Sequence, residues 1–346
     1  MKIALISPLS YPVPPKKYGG TQSVVHYLAE SLVRAGHEVT LFAPDGSSTA
    51  GKLDKTFGQS IVGSQLDPKN IDYCKERLRY IASLSARFDI IHNHDALLPL
   101  AFEKDFKAPM VSTWHSVFEP DKIEESWLSL LLKTRLISIS NAQRKNLPGG
   151  NFVATVYNGT TDLTEYTFGE GGDYLVWLGR FNETKGPLDA IRIAKKTGHK
   201  LLIAGAIISD IQKAYFKDKI EPLLSDQIIY VGEVDLAAKI PLLGGAKAML
   251  MPVKCDESFG LVMTEAMACG TPVIAYERGA VPEVIRSGYS GFVVPADDIE
   301  AAADAVGFID RINRQNCRQW VATNFLPEKM VSGYLDLYGK IVAREI

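Results

Sequence analysis

The chain has 346 residues, 46% of them hydrophobic and 23% charged, and a formal net charge of −2 at pH 7. Such a composition is that of an ordinary globular protein and excludes the disordered and fibrous classes. The length predicts about two domains, and the near-neutral charge gives no reason to expect a nucleic-acid partner.

Short apolar runs alternate with amphipathic stretches along the first half of the chain, a pattern that predicts parallel strands covered by helices. The clearest helix is predicted over residues 22–35, because Val24, Leu28 and Leu32 recur on one stripe and Gly36 ends the pattern. The strands are predicted at residues 2–7, 38–42, 90–92, 110–113, 136–139 and 152–156. We therefore expect a doubly wound, Rossmann-like α/β domain.

The second half repeats this alternation after a stretch rich in turn residues at 158–173, which predicts a domain boundary. Its strands are predicted at residues 174–178, 200–204, 228–231, 248–251, 273–275 and 292–294. A final helix is predicted over residues 327–344, and its apolar face is formed by Met330, Val331, Tyr334, Leu335, Tyr338 and Ile341. The expected domains are residues 1–160 and 161–326, followed by the C-terminal helix within 327–346. Ligands of such sheets bind beyond the carboxyl ends of the strands, so two facing domains predict an interdomain cleft.

Two carboxylates stand eight positions apart in the second half, Glu257 and Glu265, on either side of Gly260. Gly260 lets the backbone turn, and residues 261–268 then follow a helical pattern. The N-terminus of that helix offers N–H groups and a partial positive charge, which suit a diphosphate. Because carboxylates repel phosphate unless they face hydroxyl groups, the pattern predicts a ligand that carries both. The alternative is a solvated loop glutamate and an exposed helix glutamate.

The first strand ends in a long loop that closes with Gly19 and Gly20 before the first helix. Paired glycines let a phosphate or a sugar approach the backbone, although turn glycines are common before helices. Lys16 and Lys17 in the same loop could add positive charge toward an acceptor, but a solvated pair is favoured.

Arg180 and Lys185 follow the first strand of the second half, in the sequence G-R-F-N-E-T-K-G. Both cations could reach one diphosphate, the arginine through a bidentate contact and the lysine as a point charge. Two exposed surface cations are the alternative, but the nearby pair of glutamates favours the diphosphate.

Histidines end two predicted strands of the first half. His92 and His94 are expected to be hydrogen-bonded structural residues, whereas His115 could equally line a site. His92, His94 and Asp95 could suggest a metal, but no third ligand pattern supports one. The chain also has no D-x-D triplet after an apolar strand, so a metal-independent mechanism is expected.

Four cysteines, Cys74, Cys255, Cys269 and Cys317, lack C-x-x-C spacing and neighbouring histidines, which predicts reduced thiols in a cytoplasmic protein. The chain shows no signal-peptide core and no apolar run near the ~20 residues of a membrane span. Residues 1–160 carry a net charge of +3 and residues 161–346 a net charge of −5. This asymmetry could favour an acidic acceptor or a membrane surface on the first half, but solvated side chains explain it equally well. Peripheral contact with the inner membrane face therefore stays open.

Residues 257–275, reading E-S-F-G-L-V-M-T-E-A-M-A-C-G-T-P-V-I-A, resemble the signature of glycosyltransferase family four. The family consists of retaining enzymes of the GT-B fold. Further motifs follow in the family's order, namely Y-G-G-T-Q, V-Y-N-G-T, G-R-F-N-E-T-K-G, Y-V-G-E-V-D and G-A-V-P-E-V-I-R-S-G-Y-S-G-F-V-V. The resemblance therefore covers most of the chain, and the segment with two glutamates is its most specific part.

The resemblance implies an acceptor-side domain at residues 1–160, a donor-nucleotide domain at 161–326, and a C-terminal helix that packs back on the first domain. It also implies a role for each matching residue. Glu257 would contact hydroxyls of the transferred sugar, Glu265 the ribose hydroxyls, and His115 would lie near the reacting sugar. The residues that the resemblance assigns to the rest of the donor are Gly19 and Gly20 for its phosphates or sugar, Arg180 and Lys185 for its diphosphate, Ser258, Phe259, Gly260 and Leu261 for backbone contacts, and Val231 and Gly232 for its base. Ser258 stands where many relatives have proline, which puts the finer donor contacts in doubt.

The activity implied is transfer of a hexose from a nucleoside diphosphate sugar to an acceptor hydroxyl with retention, by a front-side mechanism without a cofactor. A UDP-sugar is favoured, because Y-V-G-E-V-D and G-A-V-P-E-V resemble segments of relatives that use UDP-glucose. The acceptor stays open among glycans, lipids and small metabolites. The alternatives are a sugar-nucleotide epimerase of the same architecture and a non-catalytic protein that binds nucleotide sugars.

Overall fold

The computed structural model describes residues 1–17, 19–61 and 66–345. The chain divides into two compact units, Met1–Thr160 with Pro327–Ile346, and Thr161–Leu326. Each unit is built around one parallel sheet with helices packed against it. The expected pair of doubly wound α/β units is therefore confirmed.

Thirteen strands are formed by the described residues. They are β1 Lys2–Ile6, β2 Glu38–Phe42, β3 Lys52–Asp54, β4 Ile90–Asn93, β5 Met110–Thr113, β6 Leu136–Ser138, β7 Phe152–Thr155, β8 Tyr174–Leu178, β9 Lys200–Ala204, β10 Ile228–Tyr230, β11 Ala248–Met251, β12 Val273–Tyr276 and β13 Gly291–Val294. Five of the predicted strands have the predicted bounds, and seven differ by one residue at one end. Strand β3 was not predicted, because it is a three-residue edge strand without an apolar run.

The helices vary more in length. The α-helices are α1 Gly20–Arg34, α2 Pro68–Leu84, α3 Glu125–Lys133, α4 Asn141–Lys145, α5 Pro187–Thr197, α6 Asp210–Tyr215, α7 Leu236–Gly244, α8 Leu261–Ala268, α9 Val281–Val284, α10 Ile299–Phe308, α11 Arg314–Asn324 and α12 Pro327–Val342. Short 3₁₀ turns occur at Ser85–Arg87, Leu98–Asp105, Pro120–Lys122, Glu183–Lys185, Glu221–Leu223 and Ile309–Arg311, with a π turn at Phe216–Ile220. In the described part of the chain, no helix has both the length and the apolar character that crossing a membrane requires.

Both sheets reverse their strand order once, and this reversal decides which loops meet. The first sheet has the order β3-β2-β1-β4-β5-β6-β7 and the second β10-β9-β8-β11-β12-β13, with parallel neighbours throughout. The order reverses between β1 and β4 in the first unit and between β8 and β11 in the second. In open parallel sheets, ligands bind at such switch points, beyond the carboxyl ends of the strands.

The central strands are buried on both faces, which explains why they appear in the sequence as continuous apolar runs. Residues 3–6 of β1 are fully buried, as are Ala248, Met249 and Leu250 of β11. The side chains of these strands therefore form the core of each unit.

The C-terminal helix α12 belongs to the first unit and begins where predicted, but it ends two residues earlier. Tyr334 and Tyr338 on its apolar face are fully buried. Leu335, which the sequence placed on this face, is only partly buried, because it lines a cavity of about 680 Å³ between α1 and α12. Leu337 is buried instead.

Candidate functional site

In the second unit, the loops that follow β8 and β11 lie side by side, since these strands are neighbours at the switch point. The loop after β8 carries Arg180 and Lys185, and the loop after β11 carries Glu257 and Gly260. The sheet topology therefore brings together two motifs that are 72 residues apart in the chain, measured from Lys185 to Glu257.

Lys185 and Glu257 form an ion pair with 2.6 Å between Nζ and Oε2, and their side chains are 23% and 11% exposed. The backbone of Lys185 is fixed, because its N–H bonds Oδ1 of Asn182 and its carbonyl accepts from the indole of Trp177. The family resemblance assigned the two charges to different parts of a ligand, whereas the structure places them in contact with each other. A lysine ammonium has three N–H donors, so it can bind this carboxylate and a phosphate oxygen together.

Gly260 begins helix α8 with a left-handed backbone, φ +83°. A Cβ at this position would lie 2.6 Å from Cε of Met263, so both conformation and space favour glycine. Phe259 is buried against Phe325 and anchors the loop, while Ser258 beside it is partly buried. With Leu261 as its first residue, α8 starts as the sequence predicts.

Glu265 lies inside α8 and is almost buried, with a side chain 11% exposed. Its Oε1 accepts from Nζ of Lys239 at 2.5 Å and from the hydroxyl of Tyr166 at 3.0 Å. Sequence reasoning missed both partners, because 26 and 99 residues separate them from Glu265 and neither belongs to a motif that it singled out.

The loop after β12 clamps the loop that carries Glu257. The N–H of Ala280 bonds the carbonyl of Glu257 at 2.8 Å. Gly279 has φ +56°, and a Cβ there would lie 2.4 Å from both N and O of Glu257. The motif G-A-V-P-E-V was the only sequence signal for this contact, and the sequence analysis gave these two residues no role.

We expect Gly279→Ala to destabilise the protein by about 1–3 kcal/mol and to weaken ligand binding at Glu257, because the backbone must move to accept the Cβ. Gly288→Ala is the matched control, since Gly288 has φ +78° but no atom within 4 Å of an added Cβ. Urea unfolding and ligand titration of both variants separate crowding from backbone strain. Equal effects of the two substitutions would contradict the clamp.

Arg180 lies at the end of β8, in the same loop as Lys185, whereas Val231 and Gly232 follow β10 of the same unit. Arg180 is partly buried, two residues beyond β8. Val231 is 41% exposed directly after β10, and Gly232 has φ +87° with open space around its α-carbon. We call Val231 and Gly232 the ledge. The carbonyl of Gly232 accepts a hydrogen bond from the N–H of Gly205, which connects the ledge to the end of β9.

In the first unit, Gly19 directly precedes α1 and Gly20 is the first residue of the helix. Gly19 has φ +155°, and a Cβ would lie 2.6 Å from Cβ of Pro15. Glycine is therefore required by the turn itself, and a ligand role for this pair stays a prediction. Tyr18 of the same motif lies outside the described residues.

Three imidazoles cluster at the ends of β4 and β5. Nδ1 of His92 lies 2.5 Å from the hydroxyl of Tyr338, and its Nε2 lies 2.7 Å from Oγ1 of Thr113. His92 is thus a buried residue that joins β4 and β5 to α12, in agreement with the structural role expected for it. Nδ1 of His94 lies 2.9 Å from Nε2 of His115, so the N–H of one ring donates a hydrogen bond to the unprotonated nitrogen of the other.

Burial lowers the pKa of all three rings. The pKa of His115 falls to about 4 through loss of solvation. Loss of solvation also holds the pKa of His92 and of His94 well below its ordinary value, with neighbouring imidazoles adding repulsion. At neutral pH the cluster is uncharged, so His115 can offer hydrogen bonds but no positive charge.

This cluster predicts acid sensitivity. A histidine whose pKa is lowered by folding stabilises the native state above its unfolded pKa of about 6.5, and that stability is lost as the pH falls toward the folded pKa. We expect each ring to lower the free energy of unfolding by about 1–2 kcal/mol at pH 5 relative to pH 7.5. Urea unfolding at several pH values measures this loss, and His94→Asn should make it smaller. A free energy of unfolding that stays constant over this range would contradict the prediction.

A buried ion pair anchors the loop that carries His94. Nη1 of Arg77 lies 3.1 Å from Oδ2 of Asp95, and both side chains are 4% exposed. Nη2 of Arg77 also donates to the carbonyls of Ser7 and Phe42, at 2.9 and 3.0 Å. One guanidinium therefore joins the carboxyl ends of β1, β2 and β4.

The absence of a metal at His92, His94 and Asp95 stays a prediction. In the structure Asp95 binds Arg77, His92 contacts two hydroxyls and His94 contacts His115. Within residues 1–17, 19–61 and 66–345, no group of three or more His, Cys, Asp or Glu is arranged to hold a metal ion.

Two family models match the chain in series. The model of glycosyltransferase family 4 matches residues 18–160. The model of glycosyl transferases group 1 matches residues 160–319. The first match ends and the second begins at the boundary between the two compact units.

Known proteins similar to the chain include enzymes that transfer sugars. The phosphatidyl-myo-inositol mannosyltransferase of Mycolicibacterium smegmatis is 28% identical over 341 residues, 88% of this chain and 84% of that protein. The structure of sucrose-phosphate synthase from Thermosynechococcus elongatus has a TM-score of 0.82 at 22% identity and covers 99% of both chains. Anabaena HepE in complex with UDP-glucose has a TM-score of 0.75 at 16% identity and covers 98% of this chain and 100% of its own. The two solved structures and this chain share the two-domain GT-B fold.

Proposed function

The chain belongs to glycosyltransferase family four, and from that premise we propose that it transfers a hexose from a UDP-sugar to an acceptor hydroxyl with retention of configuration. One observation carries this proposal. Each glutamate of the spaced pair lies against a lysine, Glu257 against Lys185 and Glu265 against Lys239, on either side of the N-terminus of α8. This arrangement provides cations and helix N–H groups for phosphates, and carboxylates for hydroxyls.

The diphosphate of the donor binds between Lys185, Arg180 and the N-terminus of α8. Lys185 keeps one donor on Oε2 of Glu257 and directs another to phosphate. Glu257 then presents its other oxygen to a hydroxyl of the transferred sugar. These two cations replace the metal ion that other transferases use to neutralise a departing diphosphate, and no cofactor is required.

Transfer proceeds on one face of the sugar. The bond from the anomeric carbon to the phosphate oxygen breaks, and the acceptor oxygen bonds the same carbon from the same side. The acceptor proton passes to the departing phosphate oxygen, so no enzymic nucleophile is needed. Lys185, Arg180 and the helix dipole stabilise the negative charge that develops on the phosphate.

Uracil is the favoured base, with the ledge of Val231 and Gly232 as its site. The ledge combines an exposed apolar side chain with open backbone, which suits the face of a base. HepE, which has the same fold, binds UDP-glucose. The acceptor belongs to one of three classes, a lipid, a glycan or a small metabolite, and the mannosyltransferase relative acts on phosphatidyl-myo-inositol.

Four free cysteines support a cytoplasmic location. Burial raises the pKa of the Cys269 and Cys317 thiols to about 12, so both are protonated and unreactive at neutral pH.

A thermal-shift panel of the UDP, GDP and ADP forms of glucose and mannose tests the proposal. A ligand at 100 times its dissociation constant should stabilise the protein by about 2.7 kcal/mol. The selected donor should release its nucleoside diphosphate with an acceptor present. No shift with any donor would overturn the proposal, and conversion of the donor to an epimer without an acceptor would show an epimerase.

A further inference from the structure

The two partners of Glu265 bind the same carboxylate oxygen. Lys239 donates from Nζ to Oε1 at 2.5 Å, and Tyr166 donates from its hydroxyl to Oε1 at 3.0 Å. A carboxylate oxygen has two lone pairs, so these donors saturate Oε1. Among the described residues, none donates a hydrogen bond to Oε2, although the side chain is only 11% exposed.

Tyr166 is held rigidly where it meets the carboxylate. Its ring is buried, with the residue 2% exposed. Arg318 donates through Nη1 to the carbonyl of Tyr166 and to that of Ala268 at the end of α8, both at 2.5 Å. The N–H of Gly169 also bonds the carbonyl of Cys269. The segment of Tyr166 is therefore fixed to the helix that carries Glu265.

Lys239 completes a triangle with the other two side chains. It projects from α7, and its ammonium lies 5.9 Å from the centre of the Tyr166 ring, within reach of a cation–π contact. Lys239 thus neutralises Glu265 and is itself positioned by the tyrosine. The carboxylate is left with one defined orientation, which a single partner would not impose.

We propose that Tyr166 and Lys239 are positioning residues that hold Oε2 of Glu265 toward the two ribose hydroxyls of the donor nucleotide. This inference rests on the proposed function, in which Glu265 binds the ribose. The 2′- and 3′-hydroxyls both donate to one oxygen, because the other already accepts two hydrogen bonds. The triangle thereby selects ribonucleotides over nucleotides that lack these hydroxyls.

A purely structural role for the triangle makes a different prediction. If Tyr166 and Lys239 only attached their segments to α8, their loss would weaken every nucleotide to the same extent. If they orient Oε2, their loss weakens ribonucleotides specifically. The ratio of affinities for ribose and dideoxyribose ligands therefore separates the two roles.

The test is calorimetric titration of UDP, GDP and ADP, each compared with its 2′,3′-dideoxy form. The wild type should bind its preferred ribonucleotide about 10- to 100-fold more tightly than the dideoxy form, as expected for hydrogen bonds to a charged group. Tyr166→Phe keeps the ring and its packing and should lower this ratio by about 3- to 10-fold. Lys239→Met with Tyr166→Phe should bring the ratio close to one, while Lys239→Arg should retain most of it.

Each outcome has a distinct meaning. In one outcome, the wild type, Tyr166→Phe and the double variant all discriminate equally well between ribose and dideoxyribose nucleotides. This result overturns the inference and leaves the proposed function intact. Equal binding of ribose and dideoxyribose forms by the wild type also overturns it. Failure of the wild type to bind any of the three ribonucleotides removes the proposed function, and the inference with it. Thermal midpoints show whether each variant folds, and Tyr166→Phe alone decides the question if Lys239→Met does not fold.

Discussion

Lys185→Ala should lower the rate of nucleoside diphosphate release by about 100-fold at saturating donor, the scale of one lost contact to a developing negative charge. Lys185 is the cation held closest to the glutamate that precedes α8, with 2.6 Å between Nζ and Oε2 of Glu257. Its loss removes the charge that stabilises the departing diphosphate and leaves Glu257 without its partner. Glu257→Gln should reduce the rate by a similar factor, since the amide no longer holds the ammonium in place. Product release in the presence of acceptor, followed by chromatography of the nucleotide, measures both effects.

Lys196→Ala is the matched control for this prediction. Lys196 forms an ion pair with Glu300 at 2.8 Å in the same unit, but the two side chains are 46% and 72% exposed. Exposed pairs contribute little, so this variant should retain wild-type stability and turnover. Near-full turnover of Lys185→Ala under the same conditions would show that the lysine has no role in the chemistry.

Arg77→Met should destabilise the protein by about 3–5 kcal/mol, the cost of leaving a buried charge without its partner. The substitution keeps an apolar stem in α2 but removes the guanidinium from Asp95 and from the carbonyls of Ser7 and Phe42. Three strand ends then lose their common donor. Urea unfolding monitored by circular dichroism measures the loss.

Arg79→Met in the same helix provides the comparison, because Arg79 is exposed. Arg79→Met should change the free energy of unfolding by no more than about 0.5 kcal/mol. If Arg77→Met costs no more than Arg79→Met, the ion pair does not anchor the loop of His94. The loss of stability caused by Arg77→Lys should lie between those of the other two variants, since an ammonium cannot reproduce the forked contacts of a guanidinium.

The sequence predicted the elements whose signal is local. Helix α8 begins after Gly260 and ends before Gly270, because a left-handed glycine at each end fixes its length. Buried parallel strands such as β8 and β11 were recognised from their continuous apolar runs. The edge strand β3 has no such run, and its three residues form a parallel pair with β2 at the edge of the sheet.

The candidate site was predictable as a set of residues but not as a set of contacts. The motif identified Glu257 and Lys185, yet their ion pair depends on the order of β8 and β11 in the sheet. Lys239 lies in helix α7 and Tyr166 in an irregular segment before β8, neither within a chemical motif, and only folding brings them to Glu265. Likewise, the clamp at Gly279 depends on the close approach of two loops, which a single sequence does not encode locally.

The most direct test of the donor site is a crystal structure of the protein with a non-hydrolysable 2-fluoro analogue of the nucleotide sugar that the binding panel selects. We expect the diphosphate at Lys185 and the N-terminus of α8, a sugar hydroxyl on Glu257, and the ribose hydroxyls on Oε2 of Glu265. A nucleotide bound elsewhere, with Lys185, Glu257 and Glu265 free of ligand contacts, would contradict it.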